Sequence, residues 1–178
     1  RVLYHVSTGV DVRIAELEGG SLRNAIPRES FGTIVCPSVD IAKMKDLFNE
    51  MTAAVLEEFS KVEPNASITL TEKAERPVKM IALADQKKAM AALYTTPNGV
   101  WEMSEKIEGL VETSSSLAKV IFRNGEFITQ SLQRSMIETG KHDIANALRL
   151  NYENIGADVQ QSGDYPGWAP NPDSPIFL

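Results

Sequence analysis

Asn124-Gly125 separates two runs of alternating character, SLAKVIF (116–122) and EFITQSLQRS (126–135). Both residues tolerate positive φ, which a two-residue turn needs to match the twist of its flanking strands, so the segment reads as a β-hairpin. A hairpin pairs its strands antiparallel, and no βαβ run elsewhere is long enough for a doubly wound parallel sheet. The fold class expected is therefore α+β, a mainly antiparallel sheet with helices packed on one face. The order of elements also admits two fused ferredoxin-like halves, although no internal repeat marks a duplication.

Other elements follow from periodicity. DVRIAELE (11–18) reads as a strand ended by the Gly19-Gly20 turn, and AIPRESFGTIVCP (25–37) is β-rich in its second half, with Pro27 demoting its beginning. After Ser38, a good N-cap, Ile41, Met44, Leu47, Phe48, Met51, Val55 and Phe59 recur at helical spacing. ASITLTEKAE (66–75) alternates as a strand, LADQKKAMAALYT (83–95) is helical, and strands dominate from there to residue 135. A further helix is expected over about 139–155, with Ile144, Leu148, Tyr152 and Ile155 on one face and Gly156 as its stop, then a last strand near ADVQQ (157–161). RVLYHV at the start reads as the tail of a helix, and GDYPGWAPNPDSPIFL at the end as an extended, proline-rich connector. Both suggest a piece excised from a longer chain.

Composition excludes several function classes. With 178 residues, 43% hydrophobic, the chain can bury one sizeable core or two small ones. A net charge of −6 gives no broad attraction for nucleic acid or an anionic membrane, so neither is expected as a partner. Cys36 is the single cysteine and cannot form an internal disulfide. With no apolar run near the length of a membrane span and no signal-peptide pattern, the expected location is the reducing cytoplasm.

The catalytic inventory is mostly negative. His5 and His142 are the only histidines, neither in a metal-binding pattern, and both read as exposed helix residues. The three serines of VETSSSLA have no base placed near them, and Glu57-Glu58 reads as a solvated face. No nucleophile elbow, phosphate-binding loop or dinucleotide fingerprint occurs.

What remains is polar residues at strand ends. GGSLRNAIPRESF (19–31), TTPNGV (95–100), GLVETSSSLAKV (109–120), QRSMIETGK (133–141) and GDYPGWAPNPDSPI (163–176) resemble, in this order and spacing, the lid domain of bacterial aminoacyl-histidine dipeptidases. These are carnosinase-type dinuclear zinc metallopeptidases. The resemblance covers nearly the whole chain. It implies a single lid domain over 1–178, inserted in a larger enzyme that hydrolyses Xaa-His dipeptides, with 163–178 as the connector returning to the catalytic domain. The two zinc ions, their ligands and the general base belong to that other domain, so the lid alone is expected to be inactive. The partners implied are the dipeptide and the chain's own catalytic domain; an exposed strand edge or the long helix is the alternative contact for a second copy in a homodimer.

The resemblance also assigns residues. Asn24 matches a lid asparagine that reaches the bound dipeptide, and Arg134 matches a lid arginine that binds the substrate carboxylate. An amide can hold a carbonyl or oxyanion, and a guanidinium presents a planar fork to a carboxylate. By residue type alone, Asn24 is a turn residue. Arg28 is expected in a second shell, salt-bridged and fixing the loop, with Arg23 exposed or paired with a local carboxylate. Tyr165 to Trp168 read as an aromatic clasp, with Gly167 letting the chain re-enter the catalytic domain. The family's lid histidine lies in a GGHSG motif that this chain does not contain; His5 does not match it. The reading of another class is a free-standing, non-catalytic module for small-molecule binding or dimerisation.

Overall fold

The computed structural model describes residues 1–171, 174 and 175. Helix α1 (Val2–Gly9) leads into β1 (Arg13–Gly19) and β2 (Ser30–Val35), followed by α2 (Ile41–Phe59) and α3 (Leu83–Thr95). Strands β3 (Gly99–Met103), β4 (Val111–Arg123) and β5 (Glu126–Ser135) then precede α4 (Glu138–Glu153). The strands form one five-stranded sheet in the order β2-β1-β4-β3, with β5 pairing to β4. β3 runs antiparallel to β4 from Gly99 opposite Ser115 to Met103 opposite Val111, with irregularities beside Glu102. The α+β antiparallel architecture expected from the hairpin is the one observed. Asn124 and Gly125 have φ of 58° and 84°, the two positive values that the turn between β4 and β5 requires.

The chain divides into two compact units, each assembled from separated stretches. The first comprises residues 1–18, 31–94 and 121–127, and the second 19–30, 95–120 and 128–178. In the first, Val6, Val10, Val12 and Met44 form one apolar cluster, and Ile14, Ile81 and Phe122 another. Gln86 of α3 is buried there, its Nε2 donating to the Val12 carbonyl (2.7 Å) and its Oε1 accepting from the Ile14 N–H (2.8 Å). A helix side chain thus satisfies backbone groups at the start of β1.

The second unit mixes an apolar stripe with buried hydroxyls. Ile144, Leu148 and Tyr152 of α4 are buried at the spacing of one helical face, and Ala118, Thr113 and Ser115 of β4 are buried as well. The Tyr152 hydroxyl bonds Thr96 Oγ1 (2.8 Å), so its polar tip is satisfied. Gly156, at φ 85°, follows α4 as expected.

Three local expectations are corrected. Segments 66–75 and 157–161 form no strand, although Ile68, Leu70, Ala157 and Val159 are half-buried between exposed neighbours. Their alternation reports which side chains face the protein, not a paired ladder. Ser38 does not cap α2. It opens a 3-10 turn, Ser38–Asp40, closed by the Asp40 N–H on the Pro37 carbonyl (2.9 Å), and the helix starts at Ile41.

Candidate functional site

Asn24, Arg28 and Arg134 all belong to the second unit. The loop carrying the first two is closed at its base by the Gly20 N–H on the Glu29 carbonyl (3.2 Å). Gly20 has φ 71°, and a Cβ there would overlap the Ala118 carbonyl oxygen, so only glycine lets the loop base lie on β4. Within the loop the Ala25 N–H reaches the Leu22 carbonyl (3.1 Å), making Arg23 and Asn24 the central residues of a turn. Asn24 is exposed and its amide makes no hydrogen bond among the described residues. On either side of it, Leu22 and Ile26 are 64% and 84% exposed.

Arg134 stands on the solvent row of β5, where Glu126, Ile128, Gln130 and Arg134 are exposed and the alternate residues half-buried. Its neighbour Ser135 fixes the strand end: Ser135 Oγ lies 2.8 Å from Thr113 Oγ1 on β4 and accepts from the Ile137 N–H (3.1 Å). Gln133 is likewise tied to Ser115. Arg134 therefore projects from a backbone held on both sides, and its guanidinium has no ion pair or hydrogen bond among the described residues.

Residues 162–167 link loop and strand end. Arg23 Nη1 donates to the Ser162 carbonyl (3.2 Å). Five residues on, the Gly167 N–H donates to Glu138 Oε1 (2.8 Å), and a Cβ at Gly167 would collide with the Ser135 carbonyl. Even fully extended, five residues span no more than about 18 Å, so the turn at Asn24 and the strand end at Arg134 are tethered to two nearby points of one segment. That segment is clamped by Lys141, whose Nζ contacts Asp164 Oδ1 (2.7 Å), Glu138 Oε2 (2.8 Å) and the Tyr165 carbonyl (2.8 Å). Hydrogen bonding to Asp164 and then Glu138 raises the Lys141 pKa. The same bonds are the main cause that holds both carboxyls below their ordinary values.

Several expected roles fall differently. Arg28 is exposed and makes no ion pair among the described residues; Arg23 is exposed as expected, but it pairs with no carboxylate among the described residues and instead anchors the loop through Ser162. The aromatic clasp is replaced by the polar clamp around Lys141, with Tyr165 and Trp168 63% and 78% exposed. Of the connector expected over 163–178, residues 172, 173 and 176–178 lie outside the described residues. His142 is exposed as expected, but His5 is half-buried, with its Nε2 out of solvent and without a hydrogen-bond partner among the described residues. Among the described residues no group of three or more His, Cys, Asp or Glu could hold a metal ion, and no helix is long and apolar enough to cross a membrane.

No family model matches the chain. Over 168 residues, 94% of its length, it is 33% identical to the cytosol non-specific dipeptidase of Escherichia coli (strain K12), of which it covers 34%. Its structure matches the crystal structure of aminoacylhistidine dipeptidase from Vibrio alginolyticus with a TM-score of 0.89 and 38% identity, over 97% of this chain and 35% of that one. The chain is similar to one segment of bacterial dipeptidases. It spans about a third of each of these proteins. The resemblance carried by the five strand-end motifs is thus the one that both whole-chain comparisons return. The signal that sequence reading missed is the tether: Arg23 to Ser162 joins residues 139 apart, and no local pattern announces such a pair.

Proposed function

We propose that this chain is the lid domain of a cytoplasmic, zinc-dependent dipeptidase that hydrolyses Xaa-His dipeptides, and that Asn24 and Arg134 bind the substrate's polar ends. The observation that carries this reading is similarity along 94–97% of the chain to about one third of two dipeptidases. The second unit supplies chemistry that suits it. Arg134 offers an unengaged guanidinium to a carboxylate, and Asn24 offers an unengaged amide to a carbonyl or oxyanion. Exposed Leu22 and Ile26 suit a loop that is covered by another domain when the lid closes. Zinc is assigned to the rest of the parent by the resemblance alone; there it would supply an activated water, and no step within this chain is routed through it.

Requiring a free carboxylate is how Arg134 would favour dipeptides over longer chains. A hydrogen bond to a charged partner contributes about 1.5–3 kcal/mol, so Arg134→Ala in the full-length parent should lower kcat/KM for a dipeptide roughly ten- to 150-fold. The same change should barely affect the dipeptide amide, which has no carboxylate to lose. Equal rates for wild type and Arg134→Ala on the free dipeptide would remove the assignment. Asn24→Ala tests the other end, with a loss in kcat expected because an oxyanion contact forms in the transition state.

A further inference from the structure

The first unit has a cavity of its own, of about 120 Å³, whose lining includes Glu16, Glu18, Phe31, Lys73, Phe122 and Arg123. Its charges are incompletely paired. Lys73 Nζ donates to a hydroxyl, Thr33 Oγ1 (2.8 Å), and meets no carboxylate among the described residues. Glu16 has no ion pair or hydrogen bond among the described residues. Arg123 and Glu18 approach only to 3.7 Å, both half exposed. Two cations and two carboxylates therefore line one cavity with a single loose pair between them, although side chains this long readily close ion pairs on a surface. A ligand that carries both charges, separated by a short apolar middle, completes what the lining leaves open.

We infer that this cavity binds a small zwitterionic amino acid, its ammonium toward Glu16 and Glu18, its carboxylate toward Lys73 and Arg123, and its carbon atoms between Phe31 and Phe122. Size agrees with this class. A cavity of about 150 Å³ accepts benzene, with its six heavy atoms, so 120 Å³ suits the five or six heavy atoms of glycine, alanine or β-alanine. Binding here is independent of the dipeptidase reading. Only one link rests on that reading: for a dipeptide hydrolase, such ligands belong to the class of its products.

The test is titration of the ¹⁵N-labelled chain with glycine, alanine and β-alanine, following the amides of Gly32 and Thr33, which also line the cavity. Saturable shifts in the millimolar range are expected, and neither acetate nor methylammonium, each with one charge, should reproduce them. Lys73→Met and Glu16→Gln, both at exposed positions, should each raise the dissociation constant at least five-fold, whereas Arg134→Ala should leave it unchanged. An absence of saturable shifts, equal binding of acetate, or wild-type affinity in both cavity variants would overturn the inference. Loss of dipeptide turnover by Arg134→Ala in the full-length parent, without loss of amino-acid binding, separates this site from the substrate site.

Discussion

Gln86 is the position where one substitution should disturb the fold most instructively. Its side-chain amide holds the Val12 carbonyl and the Ile14 N–H, two backbone groups in residues only 2% and 5% exposed. Gln86→Leu keeps the volume and removes both bonds, leaving one buried acceptor and one buried donor unpaired. Each such group costs about 1–3 kcal/mol, so the expected loss is about 2–6 kcal/mol, a large part of the 5–15 kcal/mol typical of a native domain. Urea unfolding should show the midpoint falling by about 1–2 M at unchanged slope.

Gln86→Glu makes the reasoning sharper because its two protonation states predict different outcomes. When protonated, the introduced carboxyl has a hydroxyl for the Val12 carbonyl and a carbonyl oxygen for the Ile14 N–H, reproducing both bonds. The ionised form has no donor and is buried. Burial raises the folded-state pKa of such a group above its unfolded value, so the stability it contributes is present at low pH and lost as pH rises through the raised pKa. The variant should recover toward wild type between about pH 7 and pH 5. A Gln86→Leu protein within about 0.5 kcal/mol of wild type, or a Gln86→Glu protein whose difference from wild type ignores pH over that range, would refute the account.

Two further perturbations address the second unit. Gly20→Ala must either strain the backbone at φ 71° or lift the loop from the Ala118 carbonyl; a cost of about 1–3 kcal/mol should lower Tm by roughly 2–12 °C and speed exchange of the amide at position 20, and an unchanged Tm would count against the close approach. Glu138 and Asp164 have depressed pKa values through Lys141, so the clamp on residues 164–167 should persist at neutral pH and be lost as pH falls below about 4, through those depressed values. The amide shift of Gly167, whose N–H donates to Glu138, should report that release, and Lys141→Met should show the released shift already at pH 7; identical shifts in the two proteins from neutral to acid would exclude the clamp.

How far the fold was legible in the chain depended on how local each cue was. The Asn124-Gly125 turn, the 83–95 helix and the stripe Ile144, Leu148, Tyr152 are set by neighbours within one or two turns of chain, and each was readable. The 66–75 and 157–161 segments show a limit of alternation, since it records facing without naming a partner strand. Gln86 shows another. A polar residue in the charged run Asp85–Lys88 gives no sign that it will complete a strand 72 residues earlier, although its spacing of three to Ala89 and six to Ala92 does place it on the buried stripe. At the candidate site, Asn24 and Arg134 are named by what the motif resemblance implies, while the tether through Ser162 and the clamp at Lys141 depend on contacts that only the folded chain creates.

Three of the four arginines of the second unit, Arg23, Arg28 and Arg134, make different candidates for a carboxylate partner, and the difference lies in preorganisation; the fourth, Arg149, is paired with Glu153 (2.8 Å). Arg23 is engaged with Ser162, so binding a ligand would first cost the loop its anchor. Arg28 has no ion pair among the described residues but stands in a loop held only at its base, at the Leu22–Ala25 turn and through Arg23, so ordering it on a ligand would carry backbone as well as side-chain entropy. Arg134 is likewise unengaged among the described residues, on a strand whose flanking residues, Gln133 and Ser135, are bonded to Ser115 and Thr113. Its backbone is already fixed, leaving only the rotamers of one side chain to be ordered, and a planar guanidinium loses little more once it meets both oxygens of a carboxylate. Of the three, Arg134 can therefore convert the largest share of an ion pair into affinity, which supports the proposal that follows the resemblance in giving the carboxylate contact to Arg134 and not to the arginines of the loop.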